Sequence, residues 1–400
     1  MDEVQRIADS LAQRISRPVA IDDPQMNLLA HTAHDGDVDQ HRVVSVMRLR
    51  APEEVIAHAL RCGIATAVGP VRVPGLPEID LYARICIPVR CQGVLLAYLW
   101  LIDADGSVTD EELELSSEAA SAAGEVLFRE RLLGDLRESR QRELVRDLLA
   151  DDVAVRSSAL ALLVEEEMLP GQCDLAALSI QVDDTDRDDV RTAIDTVLRR
   201  CGRRAQPLVA LALSQGAGRG VLVLAGRRGP TEEQLEQVAQ DIRADLLKTL
   251  QLDDGVRVGI GPSVTDPLEV RTSVRRAQEA LEVGAAVDGF GPVTAWSTLG
   301  VYRLLVQLPL DSLTDDALPD GLRTLIATDA GGPLVETLET WLDEGCDPRA
   351  TVARLQVHRT SLYYRLSRIE EITGMKLGDG RDRLSLHLGL KLNRLRGGRP

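Results

Sequence analysis

Four hundred residues, 44% apolar and 27% charged, are more than one compact core needs and predict two to four globular domains. No apolar run is as long as a membrane span; the most apolar stretch, Val94 to Ile102, is strand-sized. The six cysteines (Cys62, Cys86, Cys91, Cys173, Cys201, Cys346) form no CxxC pair, which argues against a zinc ribbon or a secreted disulfide framework, and the net charge of −17 argues against a chain that is basic throughout. The start, Met1-Asp2-Glu3, is acidic and lacks the basic region of a leader, so a cytoplasmic protein without membrane association is expected.

Residues 1–108 read as mixed α/β. Asp2 to Ile15 predicts a helix with Val4, Ile7, Ala8, Leu11 and Ile15 on one face. Two short strands are expected between Val19 and Ala30, around the turn Asp22-Asp23-Pro24. Pro52 in the first turn opens a helix to Cys62. Ala83–Pro88 and Gly93–Ile102 read as strands joined by Arg90-Cys91-Gln92-Gly93. A capping box, Thr109-Asp110-Glu111-Glu112, then starts a helix running to about Asp151. This helix is either a surface helix packed on its own domain or a parallel dimer stalk with an imperfect heptad.

Residues 171–295 repeat the α/β theme in the order βα-ββ-αβ-α. Strands are expected at Leu175–Val182, Leu208–Leu213, Gly220–Leu224 and Val256–Ile260. Helices are expected at Asp188–Cys201, Thr231–Leu250 and Pro267–Gly284. From Thr298 onward the pattern is helical only.

Charge is distributed unevenly. Residues 350–400 hold eleven Lys/Arg against four Asp/Glu, a net of +7, so the preceding 349 residues carry −24. A basic tail on an acidic body concentrates phosphate affinity at one end. In that tail Pro333–Glu344 predicts a helix closed by Gly345. Asp347 caps a second helix with Pro348 at its first position, ending near Leu355. After the break Gln356-Val357-His358, a third helix runs from Arg359 to Gly374. Two short helices with such a break have the proportions of a helix-turn-helix. Val352, Leu355, Val357, Leu362, Leu366 and Ile369 sort inward.

His358, Arg359, Thr360, Ser361, Tyr363, Tyr364, Arg365 and Arg368 are left as candidate DNA contacts. Arg359 and Arg365 are the first choices for base reading, because a guanidinium can donate twice to guanine. Tyr364, Arg368 and His358 suit phosphate or support roles. The competing reading of the same residues is an arginine-rich solvated helix in a bundle.

The string from Val357 to Gly374 (VHRTSLYYRLSRIEEITG) resembles the C-terminal helix-turn-helix of the PucR/CdaR family of bacterial regulators, and Asp382 to Leu390 resembles that family's closing helix. The family usually has Asn-Thr where this chain has Thr360-Ser361, and often a basic residue in place of Tyr363; both departures lie on the reading surface. Val256 to Ser263, followed by Arg275 to Leu281, is similar to the degenerate cyclase-like domain of CdaR-type proteins. The resemblance implies a multidomain α+β protein. Its modules are a GAF-like α/β sensor (1–130), a connecting long helix (131–170), a degenerate GGDEF-like α/β domain (171–297), a helical connector (298–332) and a helix-turn-helix domain (333–400). It implies a signal-responsive transcription regulator, more an activator than a repressor. Its expected partners are double-stranded promoter DNA and an unidentified small-molecule or protein signal. It is expected to self-associate as a homodimer or higher homo-oligomer; RNA polymerase is a further candidate partner.

No catalytic residue, cofactor or metal is expected. A diguanylate cyclase needs acidic residues in its hairpin, and the corresponding turn, Gln215-Gly216-Ala217-Gly218-Arg219-Gly220, has no carboxylate. No Lys-Ser/Thr follows its glycines, so it is no P-loop. The segment His31 to His41, with His34, Asp35, Asp37 and Asp39, has metal-like composition but is read as a polar loop. Cys62, Cys86 and Cys91 are candidates for a redox switch, although Cys86, in an apolar strand, reads as core. The competing classes are a cyclase-type signalling enzyme with an accessory tail, against which the turn weighs, and a protein-interaction scaffold using Tyr363 and Tyr364.

Overall fold

The structure, a computed structural model, describes residues 2–33, 39–183, 189–310, 313–329 and 332–397. The chain forms two compact units, residues 1–139 and 140–400.

The first unit contains α1 (Asp2–Ile15), β1 (Val19–Asp22), β2 (Leu28–His31), α2 (Gln40–Arg48), α3 (Glu53–Arg61), β3 (Val71–Val73), β4 (Arg84–Cys91), β5 (Val94–Ile102) and the beginning of α4 (Asp110–Leu148). Its five strands form an antiparallel sheet in the order β2-β1-β5-β4-β3. The two-residue pleat divides the side chains between two cores. On one face Val19, Ile21, Ile85, Ile87, Leu99 and Leu101 pack against Val4, Ala8 and Leu11 of α1 and Ala120, Ala123 and Val126 of α4. On the other, Cys86 and Tyr98 pack with Met26, Ala59 and Ile64. The capping box of α4 forms as expected: Thr109 N donates to Glu112 Oε2 at 2.7 Å, and Glu112 N to Thr109 Oγ1 at 3.2 Å. The β4–β5 turn is tighter than the sequence suggests. Cys91 pairs with Val94, and Gln92 and Gly93 take φ of 49° and 80°, the left-handed pair that a two-residue hairpin needs. Pro52 stands just before α3, as its N-cap residue, rather than inside its first turn.

The second unit continues with α5 (Val153–Glu165), β6 (Asp174–Val182), α6 (Val190–Arg204), β7 (Val209–Gly216), β8 (Arg219–Gly226), α7 (Glu232–Leu250), β9 (Val256–Ile260), α8 (Val270–Ala286) and β10 (Val293–Ala295). After the last strand come α9 (Tyr302–Leu305), α10 (Asp320–Asp329), α11 (Pro333–Asp343), α12 (Pro348–Leu355), α13 (Arg359–Thr373) and α14 (Gly380–Gly397). The sheet order is β10-β9-β6-β8-β7, so the run β6-α6-β7-β8-α7-β9 is a βαββαβ unit of ferredoxin-like type, extended by β10 parallel to β9. α6 and α7 cover one face, through Ile194, Val197, Ala239, Ile242 and Leu246. The other face, with Leu175, Ala177, Leu211, Val221 and Val223, is covered by Leu144, Val145 and Leu148 of α4, Ala159 and Leu163 of α5, and Val270 and Val274 of α8.

Two expected boundaries are corrected. The connecting long helix expected at 131–170 is two helices. α4 stops at Leu148, Asp152 caps α5 by accepting from Ala154 N at 2.7 Å, and Arg156 Nη1 donates to the carbonyls of Ala150 and Asp151 at 2.9 and 2.8 Å. These bonds satisfy backbone groups that a continuous helix would have paired internally. The connector expected at 298–332 is also divided: Leu322 and Leu325 of α10 belong to the core of the C-terminal helices. Among the described residues no helix is long and apolar enough to cross a membrane.

Candidate nucleic-acid interface

The C-terminal helices pack around Leu338, Leu342, Leu362, Leu366, Ile369, Leu386 and Leu390. Val352 and Val357 pack against this core half-buried, and Leu355 is likewise only half-buried. Asp347 initiates α12 by accepting from the amides of Arg349 and Ala350 at 2.7 and 2.8 Å. The bonds from Ala350 and Arg349 hold its carboxyl below the usual carboxylate range. α12 ends at Gln356, whose φ of 54° turns the chain sharply, and His358 begins α13. The His358 ring Nδ1 lies 2.8 Å from Thr360 Oγ1 and accepts from Thr360 N at 3.4 Å. The predicted helix–break–helix is therefore present, with Asp347 and Gly374 at its outer ends as expected, while Gln356 and His358, read as part of the break, cap the two helices where they meet.

α13 buries Leu362, Leu366, Ile369 and Thr373, and leaves Arg359, Thr360, Ser361, Tyr363, Tyr364 and Arg368 exposed. The Arg359 guanidinium lies over the Tyr363 ring, 5.6 Å from its centroid, with Nη2 3.3 Å from the phenolic oxygen. Arg368 pairs with Glu371 at 2.7 Å, a surface pair one turn away. Arg365 departs from the expected outward position. It is half-buried, and its Nη1 donates to Thr337 Oγ1 of α11 at 3.1 Å. The helical period turns position 365 back toward α11, so this side chain joins the reading helix to its support.

The support is itself tied down by charge. On α11 the buried Glu339 accepts from Lys391 at 3.2 Å and from Arg394 Nε at 2.9 Å, both on α14. Asp343 accepts from Lys391 at 2.8 Å and lies 2.8 Å from His387 Nε2. Burial works against the Asp343 charge, but Lys391 and His387 outweigh it and hold this carboxyl below its ordinary range.

Residues 334–392, which hold this arrangement, match the PucR C-terminal helix-turn-helix domain, and residues 169–283 match a GGDEF-like domain. The chain thus carries a PucR-type C-terminal helix-turn-helix domain and, before it, a GGDEF-like domain. It is 22% identical to the DNA-binding transcriptional activator AdeR of Bacillus subtilis, over 98% of this chain and 94% of that one. It is 21% identical to the proline-responsive transcriptional activator PutR of the same organism, over 98% and 96%. The carbohydrate diacid regulator of Escherichia coli is 35% identical over 34% of this chain and 35% of its own. The function is DNA-binding transcription regulation, carried by the PucR-type tail.

Of the His31–His41 cluster, His34, Asp35 and Asp37 lie outside the described residues. Asp39 is fully buried; it caps α2 through Arg42 N at 2.8 Å and pairs with Arg84. His41 Nε2 lies 2.6 Å from Ile79 O. All six cysteines are free, and burial pushes the Cys86 thiol far up, which makes it unreactive. Asp22, Arg42, Arg84 and Trp100, which line a cavity in the first unit, escape a reading of the sequence by motif. The signal available for two of them is parity: Asp22 and Arg84 are charged residues at positions that alternate with apolar residues onto a covered sheet face.

Proposed function

We propose that the regulator reads its operator with the exposed start of α13 and that a signal received in residues 1–139 controls this reading. Arg359 is the base-reading candidate; His358, Thr360, Ser361, Tyr363, Tyr364 and Arg368 supply further base or phosphate contacts. The observation that carries the reading is the exposed row Arg359-Thr360-Ser361-Tyr363-Tyr364 at the start of a capped helix whose opposite side is locked in the core. Side chains at that end of the second motif helix meet base edges in the major groove. The first unit serves as a GAF-like sensor and the GGDEF-like domain as a non-catalytic unit between sensor and tail. Two copies associate, supported by Leu132, Leu133 and Leu136 of α4, which are exposed. A pair of reading helices then reaches successive major grooves about 34 Å apart. Activation as the output, and promoter-bound RNA polymerase as a partner, are favoured by the names of two relatives matched over nearly their whole length, both activators. The protein acts in the cytoplasm.

The deciding experiment is fluorescence-anisotropy titration of wild type and Arg359→Ala with DNA from the gene's own upstream region, at fixed salt with competitor DNA. Loss of a bidentate guanine contact costs about 1–3 kcal/mol, so Arg359→Ala is expected to weaken specific binding roughly tenfold or more. Equal specific affinity in the two proteins would remove Arg359 from the reading surface.

A further inference from the structure

In the first unit, α2 and α3 do not close completely on the sheet. Between them and the strands lies a cavity of about 680 Å³, including the part open to solvent. Only about 40 Å³ of it can take the centre of a water molecule, which limits an occupant to a few heavy atoms. Its walls are largely apolar, with Met26, Val55, Ile56 and Leu81 among them. Six polar side chains interrupt these walls: Asp22, Arg42, Ser45, His58, Arg84 and Trp100. Ser45 and His58 are already bonded to the carbonyls of His41 and Pro74, which leaves Asp22, Arg42 and Trp100 as the groups least committed elsewhere.

Trp100 Nε1 is buried and lacks a partner at bonding geometry, although it lies close enough to Asp22 to favour the carboxylate. Arg42 donates through Nη2 to Val19 O at 3.1 Å, and burial lowers its guanidinium from the ordinary range, against the opposing pull of Asp22. Asp22 has no ion-pair partner within 4.0 Å among the described residues, Arg42 included. Arg84, the second guanidinium of the wall, is already paired with the buried Asp39. An unsatisfied buried donor or an unpaired buried charge is expensive, so such groups usually mark a site that something else completes.

We propose that this cavity binds a small zwitterion, a short-chain α-amino acid, whose carboxylate is held by Arg42 and Trp100 Nε1 and whose ammonium is held by Asp22. The donor pair calls for an anion. Asp22 calls for a cation, and the apolar walls call for a short aliphatic skeleton. Burial raises the Asp22 carboxyl to about 6, and an ammonium beside it would bring it back down. The inference rests on the reading of this unit as the sensor and supplies the ligand class that reading lacks.

The test is isothermal titration calorimetry of the full chain with glycine, L-alanine and L-serine, the amino acids small enough for the cavity. Propionate and ethylammonium, each carrying one of the two charges, serve as controls. At least one amino acid is expected to bind, with both single-charge probes about tenfold or more weaker, because each loses a charge-assisted hydrogen-bonded contact. Asp22→Asn and Arg42→Gln are each expected to weaken binding about tenfold or more. Trp100→Phe, which removes only the indole donor, keeps the assignment testable if either charge variant misfolds. The proposal is overturned if no amino acid binds, if propionate or ethylammonium binds as tightly, or if all three variants bind like wild type. Operator anisotropy on the same samples separates the two ideas. Amino-acid binding that leaves operator affinity unchanged upholds the site and sinks the sensor reading; ligand-free operator binding is independent of the site.

Discussion

Arg365 crosses to α11 and donates to Thr337 Oγ1, whereas Arg359 lies over the Tyr363 ring on the exposed side of the same helix. Alanine at the two positions should therefore have different signatures. Arg365→Ala leaves the buried Thr337 hydroxyl without this donor and should lower stability by about 1–2 kcal/mol. Arg359→Ala should leave the melting curve in place and act on operator affinity alone. Equal melting shifts in the two variants would contradict this division. Asp22 bears on pH. Its carboxyl is raised from 3.8 to about 6, chiefly by desolvation, so between those values the folded state binds more protons than the unfolded. The contribution of Asp22 to the stability of the first unit should therefore fall as pH rises from about 4 to 6 and then level off. Asp22→Asn, which resembles the protonated acid, should be more stable than wild type at pH 7, by on the order of 1–3 kcal/mol. Denaturant titrations of wild type and Asp22→Asn at pH 4.5 and 7 measure this; a stability difference between the two proteins that does not grow with pH would show that the carboxyl is not desolvated.

Elements meet closely where β9 passes α8. A Cβ at Gly259 would stand 1.9 Å from Ala277 O, and one at Gly261 would stand 2.1 Å from Ser273 O. Neither approach can be relieved by turning a side chain, because the obstacle is backbone. Gly259→Ala should force α8 off the sheet and cost about 1–3 kcal/mol or more in a denaturation midpoint. Gly134→Ala in α4, where an added methyl meets nothing within 4 Å, should be neutral or stabilising by about 0.5–1 kcal/mol. Contacts of this kind join segments distant in the chain, and they mark the limit of what sequence reveals. The amphipathic and capped elements are legible: α1, α7 with its Thr231–Gln234 box, β9, and the α12–α13 pair with Asp347 and Gly374 at its ends. α2 is not, because Gln40-His41-Arg42 opens it with polar residues and it contains no buried residue. β3 and β10, three residues each, carry too few alternations to show a period. Arg365 reads as outward because its chemistry suits DNA; the neighbouring α11 that captures it is distant in sequence.

For the molecule as a whole, the exposed Leu132, Leu133 and Leu136 bear on the copy number. If α4 mediates self-association, Leu133→Glu/Leu136→Glu should shift the protein from dimer toward monomer in sedimentation velocity. It should also weaken binding to a two-half-site operator more than to a single half-site. An unchanged sedimentation coefficient would place the contact elsewhere. The charge division between an acidic body and a tail of net +7 should make operator affinity fall steeply with salt.

The second face of the ferredoxin-like sheet has a practical consequence for dissecting the protein. The match to the GGDEF-like domain begins at residue 169, yet Leu144, Val145, Leu148, Ala159 and Leu163 cover that face from upstream of it. A fragment begun at 169 would keep only α8 over the face of Leu175, Ala177, Leu211, Val221 and Val223 and would leave the rest of it a greasy surface prone to aggregate. A fragment begun near Arg140 would keep the lid, and is the one to express when the middle domain is studied without the sensor.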